Sequence, residues 1–73
     1  MKTNYERSVS WIDQMFKRYF ATKMHLEGIF ELIEAKRPEQ VRNSQTALGR
    51  AFNKALREYK ATAFKAYPER IKP

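Results

Sequence analysis

The chain has no cysteine, only two glycines and three prolines, one histidine and one aspartate. Without cysteine, no disulfide or thiolate metal site can staple a chain of 73 residues. Scarce glycine and proline leave residues 4–37 and 39–67 almost free of helix breakers, and no run alternates β-branched with polar residues. One imidazole and one aspartate are too few to assemble a catalytic constellation, and there is no glycine-rich phosphate loop. The chain is therefore expected not to be an enzyme and to hold no metal or cofactor. Uninterrupted apolar runs do not exceed three residues, against the ~20 that a membrane span requires. The start, Met1-Lys2-Thr3-Asn4-Tyr5-Glu6, lacks the apolar core of a signal peptide. A cytoplasmic protein without a membrane partner is the expectation.

Acidic residues are missing from one stretch in particular, Gln40 to Arg57. The net charge is +7, and residues 37–73 supply most of it, with nine Lys/Arg against three Asp/Glu. Residues 1–36 carry six against five. A surplus concentrated in this way suits phosphate or another anionic surface.

Aromatic residues are abundant, at 14% of the chain. Their large rings offer a domain this small a way to build a core that is costly to open. Thr3 with Glu6 has capping-box spacing, and Ser10 with Asp13 the acidic variant, so either pair can open the first helix. Ile12, Phe16, Tyr19, Lys23, Leu26, Phe30 and Ile33 then recur at intervals of four and three, with Lys23 the one misfit. A single helix over residues 10–36 would be about 40 Å long. The alternative is a break within residues 21–25 and two helices folded back on each other. Lys36, Arg37 and Pro38 end the unit. Pro38 can be the first residue of a new helix, followed by Glu39. Asn43 or Ser44 is the expected cap of a last helix running to about Ala66, with Gly49 marking close packing on a neighbouring helix. The fold class read from this pattern is all-α, a small bundle of three to four helices in a single domain over residues 1–66. Residues 67–73 read as a flexible, extended C-terminal tail.

On the last helix, Leu48, Phe52, Ala55 and Tyr59 form an apolar stripe. Arg50, Lys54 and Arg57 fall roughly 180° from it. Cations pointing away from a core are free to meet a negative partner, and Arg42, Lys60 and Lys65 extend the charge along the flanks. Glu27, Glu31 and Glu34 make an acidic stripe that reads as a solvated helix face. His25 reads as a surface or partly packed residue. Trp11 suits either the core or an anchor for a partner, and Tyr5, Val9, Trp11 and Ile12 are candidates for an N-terminal apolar docking patch.

The segment Ser44-Gln45-Thr46-Ala47-Leu48-Gly49-Arg50-Ala51-Phe52-Asn53-Lys54-Ala55 is similar to the recognition helix of phage-repressor helix-turn-helix proteins, polar residues leading and apolar ones following. The preceding helix and tight turn of that motif are missing, since Pro38 falls where the first helix belongs. Across its whole length the chain resembles small bacteriophage proteins that take over host transcription by binding RNA polymerase, in size, basic charge, helical make-up and lack of catalytic groups. That resemblance implies a regulator of initiation or termination whose partners are RNA polymerase subunits. Direct DNA binding, through nucleic-acid phosphates, and inhibition of another nucleic-acid machine such as a host defence complex are the alternatives.

Overall fold

Thr3 opens the first helix by a reciprocal pair of bonds. Its hydroxyl accepts from the Glu6 backbone N–H at 3.1 Å, and the Glu6 carboxylate accepts from the Thr3 N–H at 2.9 Å. In this computed structural model, which describes residues 1–71, the helix α1 then runs Asn4–Phe20. The Thr3–Glu6 pair, and not Ser10–Asp13, is the start. Lys17 and Arg18 occupy its last turn, where cations suit the helix dipole.

The apolar rhythm breaks at its one misfit. Lys23 has φ 66°, a left-handed conformation that stops the helix and turns the chain back. Two helices form as a result, α1 and then α2 over Leu26–Ala35. A short 3-10 turn, Glu39–Val41, follows Pro38. The third helix, α3, spans Ala47–Ala66, and a second 3-10 turn covers Pro68–Arg70. No strand occurs among the described residues, and the architecture is a three-helix all-α bundle.

Thr46 caps α3, two or three residues later than Asn43 or Ser44 would have done; its hydroxyl accepts from Gly49 N–H at 2.9 Å. Asn43 serves the approach instead. Its carbonyl accepts from the Thr46 N–H at 3.3 Å and the Thr46 hydroxyl at 3.0 Å, and its side chain accepts from Gln45 N–H at 2.9 Å. This loop explains Gly49. A Cβ there would sit 2.0 Å from the Asn43 carbonyl oxygen, so the close approach is to the capping loop and not to a neighbouring helix.

The core draws on every helix. Ile12 from α1, Leu26, Ile29 and Ile33 from α2, and Phe52 and Ala55 from α3 are essentially inaccessible to water. Each large aliphatic side chain removed from water in this way contributes about 1.5–3 kcal/mol. Phe16 sits where the elements meet. Its ring centroid lies 5.2 Å from Phe20, 5.6 Å from Phe30, 5.4 Å from Tyr59 and 6.1 Å from Tyr67. α1 and α3 run in the same direction, with Tyr5 beside Glu58 at one end and Phe20 4.6 Å from Tyr67 at the other.

The segment read as an extended tail is docked as far as Ile71. Tyr67 packs on Phe20 in a tilted contact, and Arg70 donates from Nε and Nη2 to the Met24 carbonyl at 3.1 and 2.7 Å and from Nη2 to the Phe20 carbonyl at 3.0 Å. The Met24 carbonyl lies in the turn between α1 and α2, and the Phe20 carbonyl, at the end of α1, also accepts from the Lys23 backbone N–H at 3.2 Å. Lys72 and Pro73, also assigned to that tail, lie outside the described residues.

Asp13 ties α1 to α3. Tyr59 donates to its carboxylate at 2.6 Å and Lys17 lies 3.0 Å away, and these two hold the Asp13 carboxyl below its usual range. Burial first, and the carboxylate second, push the Tyr59 phenol upward.

Three stability results follow. Phe16→Ala is expected to cost about 3–5 kcal/mol in a urea titration. Gly49→Ala is expected to lower the melting temperature, although the same change in an unobstructed helix raises stability by about 1 kcal/mol. Asp13 binds a proton more weakly folded than unfolded. Its contribution is complete above the ordinary carboxylate value of about 3.9 and is lost as pH falls through the lower folded value. Urea titrations at pH 6 and pH 2.5 therefore show a larger loss for the wild type than for Asp13→Asn.

Candidate functional interface

Burial of Phe52, Ala55 and Leu56 against the core fixes the rotation of α3, and with Tyr59 half-buried on the same side the opposite face turns to solvent. Arg50, Lys54 and Arg57 stand on that outer face and are all exposed. Arg50 reaches back to donate to the Gln45 carbonyl at 2.9 Å. The Lys54 ammonium lies 5.7 Å from the centre of the Tyr5 ring. Among the described residues no carboxylate pairs with any of the three; the ion pairs formed are Lys17–Asp13, Arg37–Glu34 and Arg42–Glu39. The result is a ridge of three exposed cations that no carboxylate among the described residues neutralises.

The other basic candidates sit apart from it. Arg42, in the loop before α3, is paired with Glu39 at 3.3 Å and donates to the Ala35 carbonyl at 3.3 Å. Lys60 is on the flank of α3, 5.8 Å from the Phe64 ring centre. It edges a groove between α2 and α3, about 340 Å³ in volume, whose other wall carries Glu27, Glu31 and Glu34. The acidic stripe is thus one side of a shallow groove and not merely a solvated face.

The N-terminal patch does not form one surface. Ile12 is fully buried and cannot meet a partner, a correction to its place in that patch. Residues on either side of Ile12 diverge around the helix. Tyr5 and Val9, half-buried, line a groove of about 410 Å³ between α1 and α3, together with Tyr59, Ala63, Ala66 and Tyr67. The Tyr5 hydroxyl donates to the Glu58 carboxylate across this groove, and that bond, before any burial, raises the Tyr5 phenol. Trp11 turns the other way. Its ring packs 5.6 Å from Phe52 and lines a separate slot of about 220 Å³ with Pro38, Val41 and Leu48. Trp11 is thus partly core and partly surface.

Two arginines that contribute to the basic surplus are internal fasteners. Arg37, with a side chain only 12% exposed, pairs with Glu34 and donates to the Val41 carbonyl at 2.6 Å and the Asn53 side chain at 2.7 Å, above the face of Phe52. Arg70 holds the α1–α2 turn from the far end of the chain, its guanidinium 4.0 Å from the Phe20 ring centre. The Arg70 contacts, and those of Arg37 with Asn53 and Phe52, have no signal in local spacing because the partners are distant in sequence, whereas Glu34 and Val41 lie within four residues of Arg37. His25 is exposed at the start of α2 and its side chain caps nothing. Among the described residues, no three His, Asp or Glu converge as metal ligands, and no helix is long and apolar enough to cross a membrane.

This division of the cations is measurable. Arg70→Ala is expected to cost about 1.5–3 kcal/mol, since its charged donors satisfy backbone carbonyls. Arg57→Ala is expected to change stability by less than about 0.5 kcal/mol. Thermal melts of the two variants make the comparison.

No protein-family model matches the chain, and neither the curated proteins nor the solved structures include one significantly similar to it.

Proposed function

We propose that the protein is a non-enzymatic regulator of transcription that docks on bacterial RNA polymerase in the cytoplasm and alters initiation or termination. The observation that carries the docking role is the ridge formed by Arg50, Lys54 and Arg57, exposed and without a carboxylate partner among the described residues. A helix with a neutral or self-paired outer face would be a structural element only. This one presents charge that no carboxylate of its own fold neutralises, although Arg50 bonds the Gln45 carbonyl and Lys54 lies over the Tyr5 ring. The choice of polymerase rests on the resemblance in size, charge and helical make-up to phage proteins that bind it.

Direct reading of DNA bases by the start of α3 is less well supported. Thr46 and Asn43 are engaged in capping and shaping the loop. The link between α2 and α3 is the long segment 36–46, which contains a 3-10 turn, and not the tight turn of a helix-turn-helix. Phosphate contact by the ridge alone would be strongly salt-dependent and indifferent to sequence.

Capture of RNA polymerase from a bacterial lysate tests the proposal. Wild type is expected to retain polymerase, and Arg50→Glu with Arg57→Glu is expected to lose it while keeping its helical circular dichroism. Sequence-dependent binding to duplex DNA without polymerase capture would replace this reading with that of a repressor.

A further inference from the structure

α3 packs extensively on α1 and much less on α2. α2 reaches it through Phe30, whose ring lies 6.3 Å from Tyr59 and 6.1 Å from Phe64. Beside that contact the two helices leave the groove of about 340 Å³. Phe30 and Leu56, both buried, and Phe64, half-buried, line it with apolar surface. Its walls carry opposite charge. Glu27, Glu31 and Glu34 recur at helical spacing along α2, and Lys60 stands on α3.

The two walls leave charge on both sides without an internal partner. Glu31 and Lys60 are exposed, line the same groove and belong to none of the ion pairs formed among the described residues. Glu34 is paired with Arg37. The Lys60 ammonium lies over the ring of Phe64, 5.8 Å from its centre.

An acidic wall facing a cationic one discriminates among occupants. A uniformly basic helix is attracted by one wall and repelled by the other, and so is a uniformly acidic one. A second copy of the chain suits both walls. A two-fold axis running along the groove lays α2 of each copy on α3 of the other, so that each wall meets its opposite. The apolar linings then face each other and are removed from water, which adds burial to a chain of 73 residues that obtains little of it alone. The net charge of +7 opposes association at long range. At about 0.15 M salt the Debye length is about 8 Å, so distant cations are screened while contacting pairs are screened much less.

We propose that the α2–α3 groove is the interface of a two-fold symmetric homodimer, in which Glu31 meets the partner's Lys60 and Lys60 meets the partner's Glu31. Neither Arg50 nor Lys54 takes part, so the reading of the ridge is independent of this interface.

Sedimentation equilibrium on the full chain at about 0.15 M salt, from about 10 µM to about 1 mM protein, tests the dimer. The samples are wild type, Glu31→Lys, Lys60→Glu, and an equimolar mixture of the two variants. Both substitutions are at exposed positions, and circular dichroism verifies the helices. Wild type is expected to dimerise. Each variant alone is expected to do so at least about tenfold more weakly, since the two-fold axis sets like charges against each other at both contacts. The mixture is expected to regain the wild-type affinity, because in the mixed pair every contact joins opposite charges again. A wild type that stays monomeric across this range overturns the homodimer, and a labelled peptide with leucines on one face and lysines beside them, if bound by that monomer, reassigns the groove to a basic helix. A dimer indifferent to both substitutions is formed by another surface and overturns the groove assignment. Weakening in both variants without recovery in their mixture overturns the reciprocal pairing of Glu31 with Lys60.

Discussion

The ring of Phe16 is the contact on which the bundle depends. It meets Phe20 on its own helix, Phe30 on α2, Tyr59 on α3 and Tyr67 just beyond α3. A chain this short hides only about 60% of the surface its unfolded form exposes, so it must obtain much of its stability from a few large groups. Aromatic rings are suited to this because each buries a large apolar area and gains from tilted contact with its neighbours. Around Phe16 they also set orientation, since helices that share a ring cannot slide or rotate independently.

Aromatic packing leaves the polar ends of the helices to be satisfied, and arginines do this. Arg70 answers the carbonyls at the α1–α2 turn, and Arg37 answers the loop before α3. Both lie against an aromatic face, Phe20 and Phe52 respectively, where the planar guanidinium stacks while its edge donates hydrogen bonds. The consequence for function is a division of labour among cations. Those at the chain reversals are held by several contacts each, and those on the outer face of α3 are exposed and without a carboxylate partner among the described residues. Total charge overstates the exposed cationic surface, because part of it is internal to the architecture.

The same rotation of α3 that buries Phe52 and Ala55 turns Arg50, Lys54 and Arg57 to solvent, and of the three only Lys54 reaches the edge of the α1–α3 groove, over the Tyr5 ring. Tyr5 links them, bonded to Glu58 on one side and lying beneath Lys54 on the other. The cationic ridge and the core are thus two faces of a single helix, and neither can be rotated without disturbing the other.

Local pattern was enough to establish the helices, the apolar stripe Leu48–Phe52–Ala55–Tyr59 and the outward direction of Arg50, Lys54 and Arg57. Those features follow from residue spacing at 3.6 per turn and from side chains that segregate by polarity. The Thr3–Glu6 cap was one of two legible starts, and Lys23, where the rhythm failed, marked the turn. Other features depended on residues far apart in the chain. Arg70 meets Met24, Arg37 meets Asn53, and Gly49 must admit the carbonyl of Asn43, a close approach that only the course of the capping loop defines. The separation of Trp11 from Tyr5 and Val9, and the burial of Ile12 between them, was likewise settled by how α1 rests on α3. Periodicity describes one helix at a time, whereas a groove, a buried guanidinium or a shared ring exists only where two segments are brought together.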